Sequence, residues 1–200
     1  MGQRTTVSRG SPRPLIKRPA WRIGVITDTH GLYDPAIERH FAGVQEILHA
    51  GDIGGAHVIQ RLRRLAPVTA VSGNVDHFEA SGFPRRRVLR RSGLKIALCH
   101  VVFENGKISP ATAAWLDQAH ADVCVFGHSH RPMVARLGRT LFLNPGSAGP
   151  RRFSLPRGIG VLTLKAGNPA ARLIRLADRV AAGASAARTS VRGKGARSWK

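Results

Sequence analysis

Residues Val123–Pro132 read VCVFGHSHRP. Four apolar side chains in a row, stopped by Gly127, have the length of a buried strand rather than of a helix. His128 and His130 follow, flanking one serine. On extended backbone a spacing of two turns both rings to the same side. A single histidine at a strand end is ordinarily a satisfied polar group and nothing more. Two on one side also suit a divalent transition metal. The decapeptide leaves both readings open, and the ends of the other strands decide between them.

Apolar runs of strand length recur through the middle of the chain at Arg22–Thr27, Glu46–Ala50, Val68–Ser72, Leu94–Cys99 and Asp122–Phe126. Each is followed closely by side chains able to bind a metal. Asp28 and His30 follow the first, Asp52 the second, Asn74 and Asp76 the third, His100 the fourth, and His128 and His130 the fifth. In α/β sheets the carboxyl ends of strands gather on one edge, where ligands bind. Residues far apart in sequence can therefore converge.

Further strands complete the pattern. Arg87–Arg90 and Leu94–Cys99 flank the turn Arg91-Ser92-Gly93 as an antiparallel hairpin. Met133–Leu137 and Thr140–Leu143 form another around Gly138, and Gly158–Leu164 and Ala171–Leu176 come last. Helices are expected over Pro35–Phe41, Ala56–Leu65 and Ser109–His120. Pro35 and Pro110 suit a first helical turn, and Ser109 suits an N-cap. Val58, Ile59, Leu62 and Leu65 fall at helical spacing. Early alternation of β and α implies parallel strands, and the later hairpins imply antiparallel ones. The fold class expected is α/β, with a mixed sheet, outer helices and a second strand layer.

The chain of 200 residues carries a net charge of +21. Residues 1–20 and 181–200 each hold five basic residues and no acid. Both ends are rich in Gly, Pro, Ser, Ala and Arg without apolar periodicity, and read as disordered tails. The expected organisation is a tail over 1–20, one domain over 21–177 and a tail over 178–200. Weak nucleic-acid contact through the tails is one expectation; a solvated tail without a partner is the other. Cys99 and Cys124, the two cysteines, sit in apolar runs and read as reduced core thiols. Neither a secretory h-region nor a membrane-length apolar run is read, so a cytoplasmic protein without membrane contact is expected.

With Asp76 set aside, the remaining seven candidate ligands exceed the needs of one tetrahedral zinc. Two ions sharing a bridging carboxylate account for them. Oxygen and imidazole together suit Mn, Ni, Fe, Co or Zn more than Mg or Ca, and manganese heads the expectation. Such a pair, roughly 4 Å apart, activates water and steadies the attacking and leaving oxygens of a phosphate ester.

The ordered set D-x-H (Asp28, His30), G-D (Asp52), G-N (Asn74), a strand-terminal His (His100) and G-H-x-H (His128, His130) resembles the calcineurin-like metallophosphoesterases. The short length, GNVD over 73–76 and NPGS over Asn144–Ser147 are similar to their small YfcE-type phosphodiesterase branch. The likeness spans about Trp21 to Leu176. It implies a four-layer αββα fold, a two-sheet β-sandwich flanked by helices. It also implies a phosphate-ester small molecule or nucleotide as substrate. By this resemblance Asp28, His30 and His130 hold one metal, Asn74, His100 and His128 hold the other, and Asp52 bridges them.

Two positions depart from the pattern. Val101 and Val102 follow His100 where many relatives have Gly-His. Val75 stands where larger relatives carry a histidine that can protonate the leaving group. Asp76 is the nearby acid, a candidate catalytic residue or else a loop carboxylate that orients its neighbours, and His77 is a chemical stand-in. A diester or a good leaving group suits such a site better than an alkyl monoester. Asn74 and Arg151 are candidates for substrate binding, whereas His49 reads as packing or supporting a ligand. Two other functions compete: a non-catalytic protein-interaction scaffold of the same fold, and a nuclease or nucleic-acid-binding protein using the basic tails.

Overall fold

The computed structural model describes residues 20–77, 82–152, 154–165 and 167–178. The expected tails therefore fall almost wholly outside the described residues. Twelve strands and three helices are named below. They are β1 (Trp21–Ile26), α1 (Ala36–Phe41), β2 (Glu46–His49), α2 (Ala56–Arg63), β3 (Val68–Ala70), β4 (Arg86–Arg91) and β5 (Leu94–Cys99). After them come β6 (Phe103–Glu104), β7 (Lys107–Ile108), α3 (Pro110–Ala119), β8 (Val123–Val125), β9 (Met133–Leu137), β10 (Thr140–Asn144), β11 (Gly158–Lys165) and β12 (Asn168–Arg175).

Two five-stranded sheets hold the chain, in the orders β12-β11-β1-β2-β3 and β4-β5-β8-β10-β9. In the first, β1, β2 and β3 run parallel, and β11 and β12 add antiparallel strands at one side. In the second, β5, β8 and β10 run parallel, with β4 and β9 antiparallel at the edges. The fold is α/β with mixed sheets, as the alternation of runs requires.

Period-two alternation decides which residues fill each layer. Ile23, Val25 and Leu48 of the first sheet join Leu94, Ile96, Leu98, Val123 and Val125 of the second in one buried core between the sheets. The intervening residues face outward. Ile26 and Ile47 pack with Ile37 and Phe41 of α1 and Ile59 and Leu62 of α2. Ala97, Cys99 and Cys124 pack with Leu116 of α3. The result is helix, sheet, sheet, helix. Each fully buried Leu or Ile contributes about 1.5–3 kcal/mol, so a one-residue register slip, which exchanges the faces, is strongly disfavoured.

Local chemistry sets the element ends. The Ser109 side chain accepts the Thr112 N–H, and Pro110 opens α3. His120 ends that helix in the left-handed region at φ 48°. Two elements differ from expectation. β12 begins at Asn168 instead of Ala171, because Pro169 lies on an edge strand, where a missing N–H costs no ladder bond. The small β6–β7 hairpin was not expected, although Asn105-Gly106 is a strong two-residue turn signal; strands of two residues carry no periodicity to read. Among the described residues no helix is long and apolar enough to cross a membrane.

Candidate metal centre

The five strands that end in polar residues are all members of the parallel sets. Within each sheet these carboxyl ends share an edge, and the approach of His130 and the His128 N–H to Asp28 and of His100 to Asp52 brings the two edges together. Beyond β1 and β2 the chain stays paired: Asp28 N–H donates to Gly51 C=O at 3.0 Å, His30 N–H to Asp52 C=O at 2.9 Å, and Gly31 N–H to Ile53 C=O at 2.8 Å. These turns are tight. Asp28, His30, Asp52, His128 and His130 all have φ between 46° and 70°. For residues other than Gly that conformation costs about 1–3 kcal/mol each and persists where surrounding structure enforces it. Five candidate ligands share it because each strand must turn sharply to present its side chain.

Each glycine before a ligand has a steric reason. A Cβ on Gly127 would collide with Thr27 Oγ1 and lie 2.6 Å from Asp28 Oδ2. A Cβ on Gly73 would collide with the Asp52 backbone N and Oδ1. The G-H and G-N pairs thus make room for the carboxylates of other strands.

Two overlapping groups of side chains could hold a metal ion, Asp28–His30–His130 and Asp28–Asp52–His100, with ligand atoms in each within 4.8 Å of one another. Asp28 is fully buried. Its Oδ2 accepts the Thr27 hydroxyl at 2.9 Å and the His128 N–H at 3.1 Å. Its Oδ1 lies 3.2 Å from His130 Nε2 and 4.0 Å from His100 Nε2. Asp52 divides its oxygens: Oδ1 is 3.4 Å from His100 Nε2, and Oδ2 is 3.8 Å from His30 Nε2. His30 and His130 approach to 3.3 Å between their Nε2 atoms. His128 is exposed, its ring edge-on to His100 at 5.4 Å between centroids. Asn74 is exposed beside His100 on the wall of a cavity of about 620 Å³.

The donor set fits a cation. His100 Nδ1 lies 2.8 Å from the Ala50 carbonyl, so Nδ1 carries the hydrogen and Nε2 presents a lone pair. That Nε2 is buried without a hydrogen-bond partner and faces two carboxylates. A lone pair opposed to carboxylate oxygens repels unless a positive charge lies between them. A proton on His100 can serve in place of a metal. Burial alone would lower the His100 pKa; the carboxylates of Asp52 and Asp28 beside it outweigh burial and raise it. Burial likewise opposes ionisation of Asp52, but His100, the Val75 N–H and His30 bring its pKa below the usual range. The His30 pKa is lowered by burial and then by Arg152.

Residues behind the candidate ligands hold them in place. His49 is buried, accepting the Gly51 N–H at Nδ1 and meeting Thr29 Oγ1 at 3.0 Å through Nε2. Burial lowers its pKa to about 4. Asp76 accepts the backbone N–H groups of Ile53, Gly54 and Gly73 at 2.9–3.0 Å, tying the Asp52 turn to the Asn74 turn. Of its two readings, this is the geometry of the orienting loop carboxylate. Asn144 donates to Gly127 C=O at 2.9 Å, and Ser147 donates to Asp28 C=O at 2.9 Å. The NPGS turn therefore braces two ligand loops from behind.

Arg151 is exposed and pairs with Asp178 at 3.0 Å. Three contributors escaped the sequence reading. Arg157, 1% exposed, pairs with Asp34 at 3.0 Å and donates to the Gly149 and Ala148 carbonyls. Nothing in a single arginine marks it as buried. Arg85 and Arg86 line the cavity beside His100 with His77 and Asp76. Their signal was the start of an Arg-rich strand opposite the His100 strand.

Known proteins are similar to this chain in sequence and in fold. The sequence profile of the calcineurin-like phosphoesterase superfamily domain matches residues 21–167. A probable metallophosphoesterase of Methanothermobacter thermautotrophicus is 34% identical over 140 residues, 67% of this chain and 81% of that protein. The crystal structure of a conserved uncharacterized protein of Streptococcus pneumoniae TIGR4 superposes with a TM-score of 0.63 at 22% identity, over 79% of this chain and 91% of the other. Vps29 of Entamoeba histolytica, solved in complex with Zn²⁺, gives a TM-score of 0.60 at 24% identity, over 77% of this chain and 98% of the other. The profile match over residues 21–167 and the Methanothermobacter relative show that the chain belongs to the calcineurin-like phosphoesterase superfamily.

Proposed function

We propose that the protein is a dinuclear metal-dependent phosphodiesterase. The observation that carries the reading is the bare, buried Nε2 of His100 held against Asp28 and Asp52. In this reading Asp28, His30 and His130 hold a first divalent ion, and Asn74, His100 and His128 a second. Asp52 serves both, since its two oxygens face His30 and His100 separately. The mixed oxygen and imidazole set favours transition metals, manganese first. When bound, two such ions polarise the phosphoryl oxygens and lower the pKa of a bound water.

The protein's own residues do the remaining work. The buried carboxylates and the backbone around them fix the ligands before substrate arrives, so little reorganisation is needed. Val75, exposed at the rim, offers no proton to a leaving group. Asp76 is committed to three backbone N–H groups. His77 lines the cavity and is the side chain of this loop suited to move a proton. Assistance of that kind is weak enough that aryl phosphodiesters should be cleaved faster than alkyl monoesters.

The test uses stripped protein reloaded with each metal in turn and supplied with an aryl phosphodiester. Up to two metal equivalents per chain by elemental analysis, turnover with manganese and its loss on chelation are expected. One equivalent or none in a fully active sample would sink the dinuclear reading. Two equivalents without turnover on any ester would turn the assignment toward a scaffold, which at present rests on fold likeness alone.

A further inference from the structure

Beside the candidate centre the cavity has a cationic wall that the chemistry above leaves unused. The antiparallel register of β4 and β5 sets Arg86 opposite Cys99, one residue before His100. The start of β4 therefore delivers Arg85 and Arg86 to the sheet edge where His100 stands. Both line the same cavity of about 620 Å³ as Asn74, His77 and His100.

The Arg86 guanidinium is braced by neutral groups. Its Nη2 donates to Thr112 Oγ1 at 3.1 Å, and its Cζ lies 5.0 Å from the Trp115 ring centroid, both on α3. Such partners fix the orientation of the fork and leave its charge uncancelled. Among the described residues Asp76 is the only carboxylate on that wall, and its oxygens already accept from Ile53, Gly54 and Gly73. A concave surface lined by two arginines, where the one carboxylate among the described lining residues is already engaged, is suited to an anion rich in oxygen. A single phosphate ester at the ligands occupies only part of the space, since cavities of roughly 300–1,000 Å³ take whole small-molecule ligands.

We infer that Arg85 and Arg86 form a second-anion subsite, so that the preferred substrate is a nucleotide-sized phosphodiester carrying a further phosphate. The inference rests on the phosphodiesterase reading above and narrows its substrate class. The ester bond lies at the metal ligands, and the second phosphate lies against β4 and α3.

Two chromogenic probes isolate the subsite: the p-nitrophenyl ester of thymidine 5′-phosphate, and the same ester with an added 3′-phosphate. In the intact protein the 3′-phosphorylated probe should show a kcat/KM about 10–100-fold higher, the worth of one or two charge-assisted hydrogen bonds. In Arg85→Ala/Arg86→Ala the ratio should fall towards one. Because the ratio is taken within one preparation, a partly unfolded variant does not distort it. A wild-type ratio of one or less overturns the subsite, as does a ratio that survives in the double variant. A parallel calorimetric titration with thymidine 3′,5′-bisphosphate and thymidine 5′-phosphate reads binding without turnover. The bisphosphate should bind about tenfold more tightly, with the advantage lost in the variant. If neither ester is hydrolysed, the phosphodiesterase reading fails, and the titration still decides the subsite: equal affinities reject it.

Discussion

Asp52 shows how much a single side chain is asked to do. Its Oδ1 accepts the Val75 N–H at 3.0 Å, and its two oxygens face different histidines. Asp52→Asn removes a negative charge from between the two proposed cations and places N–H hydrogens where lone pairs are needed. His130 faces only one ion in the proposed arrangement, so excess metal can partly restore its variant. Asp52→Asn should lose about 100-fold or more in turnover, and His130→Ala about tenfold less than that at saturating metal. Side-by-side metal titrations followed by kinetics check this. An Asp52→Asn protein that keeps both metals and near-normal turnover would remove Asp52 from the bridging role.

The turn after β8 carries the next test. It crosses under the DTH turn so closely that Gly127 has no room for a Cβ. Gly127→Ala must push Thr27 and Asp28 aside, an overpacking cost of about 1–3 kcal/mol. Because Asp28 moves with it, metal affinity should fall about 10–100-fold as well. Ser109→Ala is the contrasting change. It deletes the cap of α3, which touches none of the candidate ligands, and should cost about 1 kcal/mol without altering metal affinity. Urea unfolding and metal titration on both variants separate the effects. Equal metal affinity in Gly127→Ala and the parent would show that the turn can relax without moving Asp28.

At the scale of the whole molecule, buried His49 ties stability to pH. Its folded pKa of about 4 lies below the ordinary 6.5. Between those values the unfolded chain binds a proton that the folded chain refuses, so stability is full above pH 6.5 and falls as pH drops toward 4. The full shift corresponds to about 3 kcal/mol. His100, whose pKa is raised, acts in the opposite sense: it adds stability as pH falls through its folded pKa, and that gain levels off below 6.5. His30 and His40, both lowered, act in the same direction as His49. Metal-free protein unfolded by urea at pH 6, 5.5 and 5 should weaken steadily, and His49→Gln should weaken less. Parallel slopes for the two proteins would mean that His49 keeps its proton when buried. Removal of residues 1–19 and 179–200 should leave metal binding and turnover of a small aryl ester nearly unchanged, because every proposed ligand lies between Asp28 and His130. Loss of activity in a folded truncation would move the domain boundary.

How far the sequence reached depends on what each residue type can signal locally. Apolar runs fix where strands lie, because burial of alternate faces needs a period of two, and their polar ends mark candidate ligands before any contact is known. The D-x-H, G-D, G-N and G-H-x-H order names the family for the same reason: each turn must carry its own ligand. Pairing across sheets is not written in any one segment. That Gly73 and Gly127 exist to clear Asp52 and Asp28, that Asp76 clamps two turns, and that NPGS braces two others emerge only when distant strands meet. Arg157 and the Arg85–Arg86 wall show the limit most plainly. A guanidinium looks the same in sequence whether it is solvated, buried against Asp34 or set beside a cavity, and only the packing of whole sheets decides which.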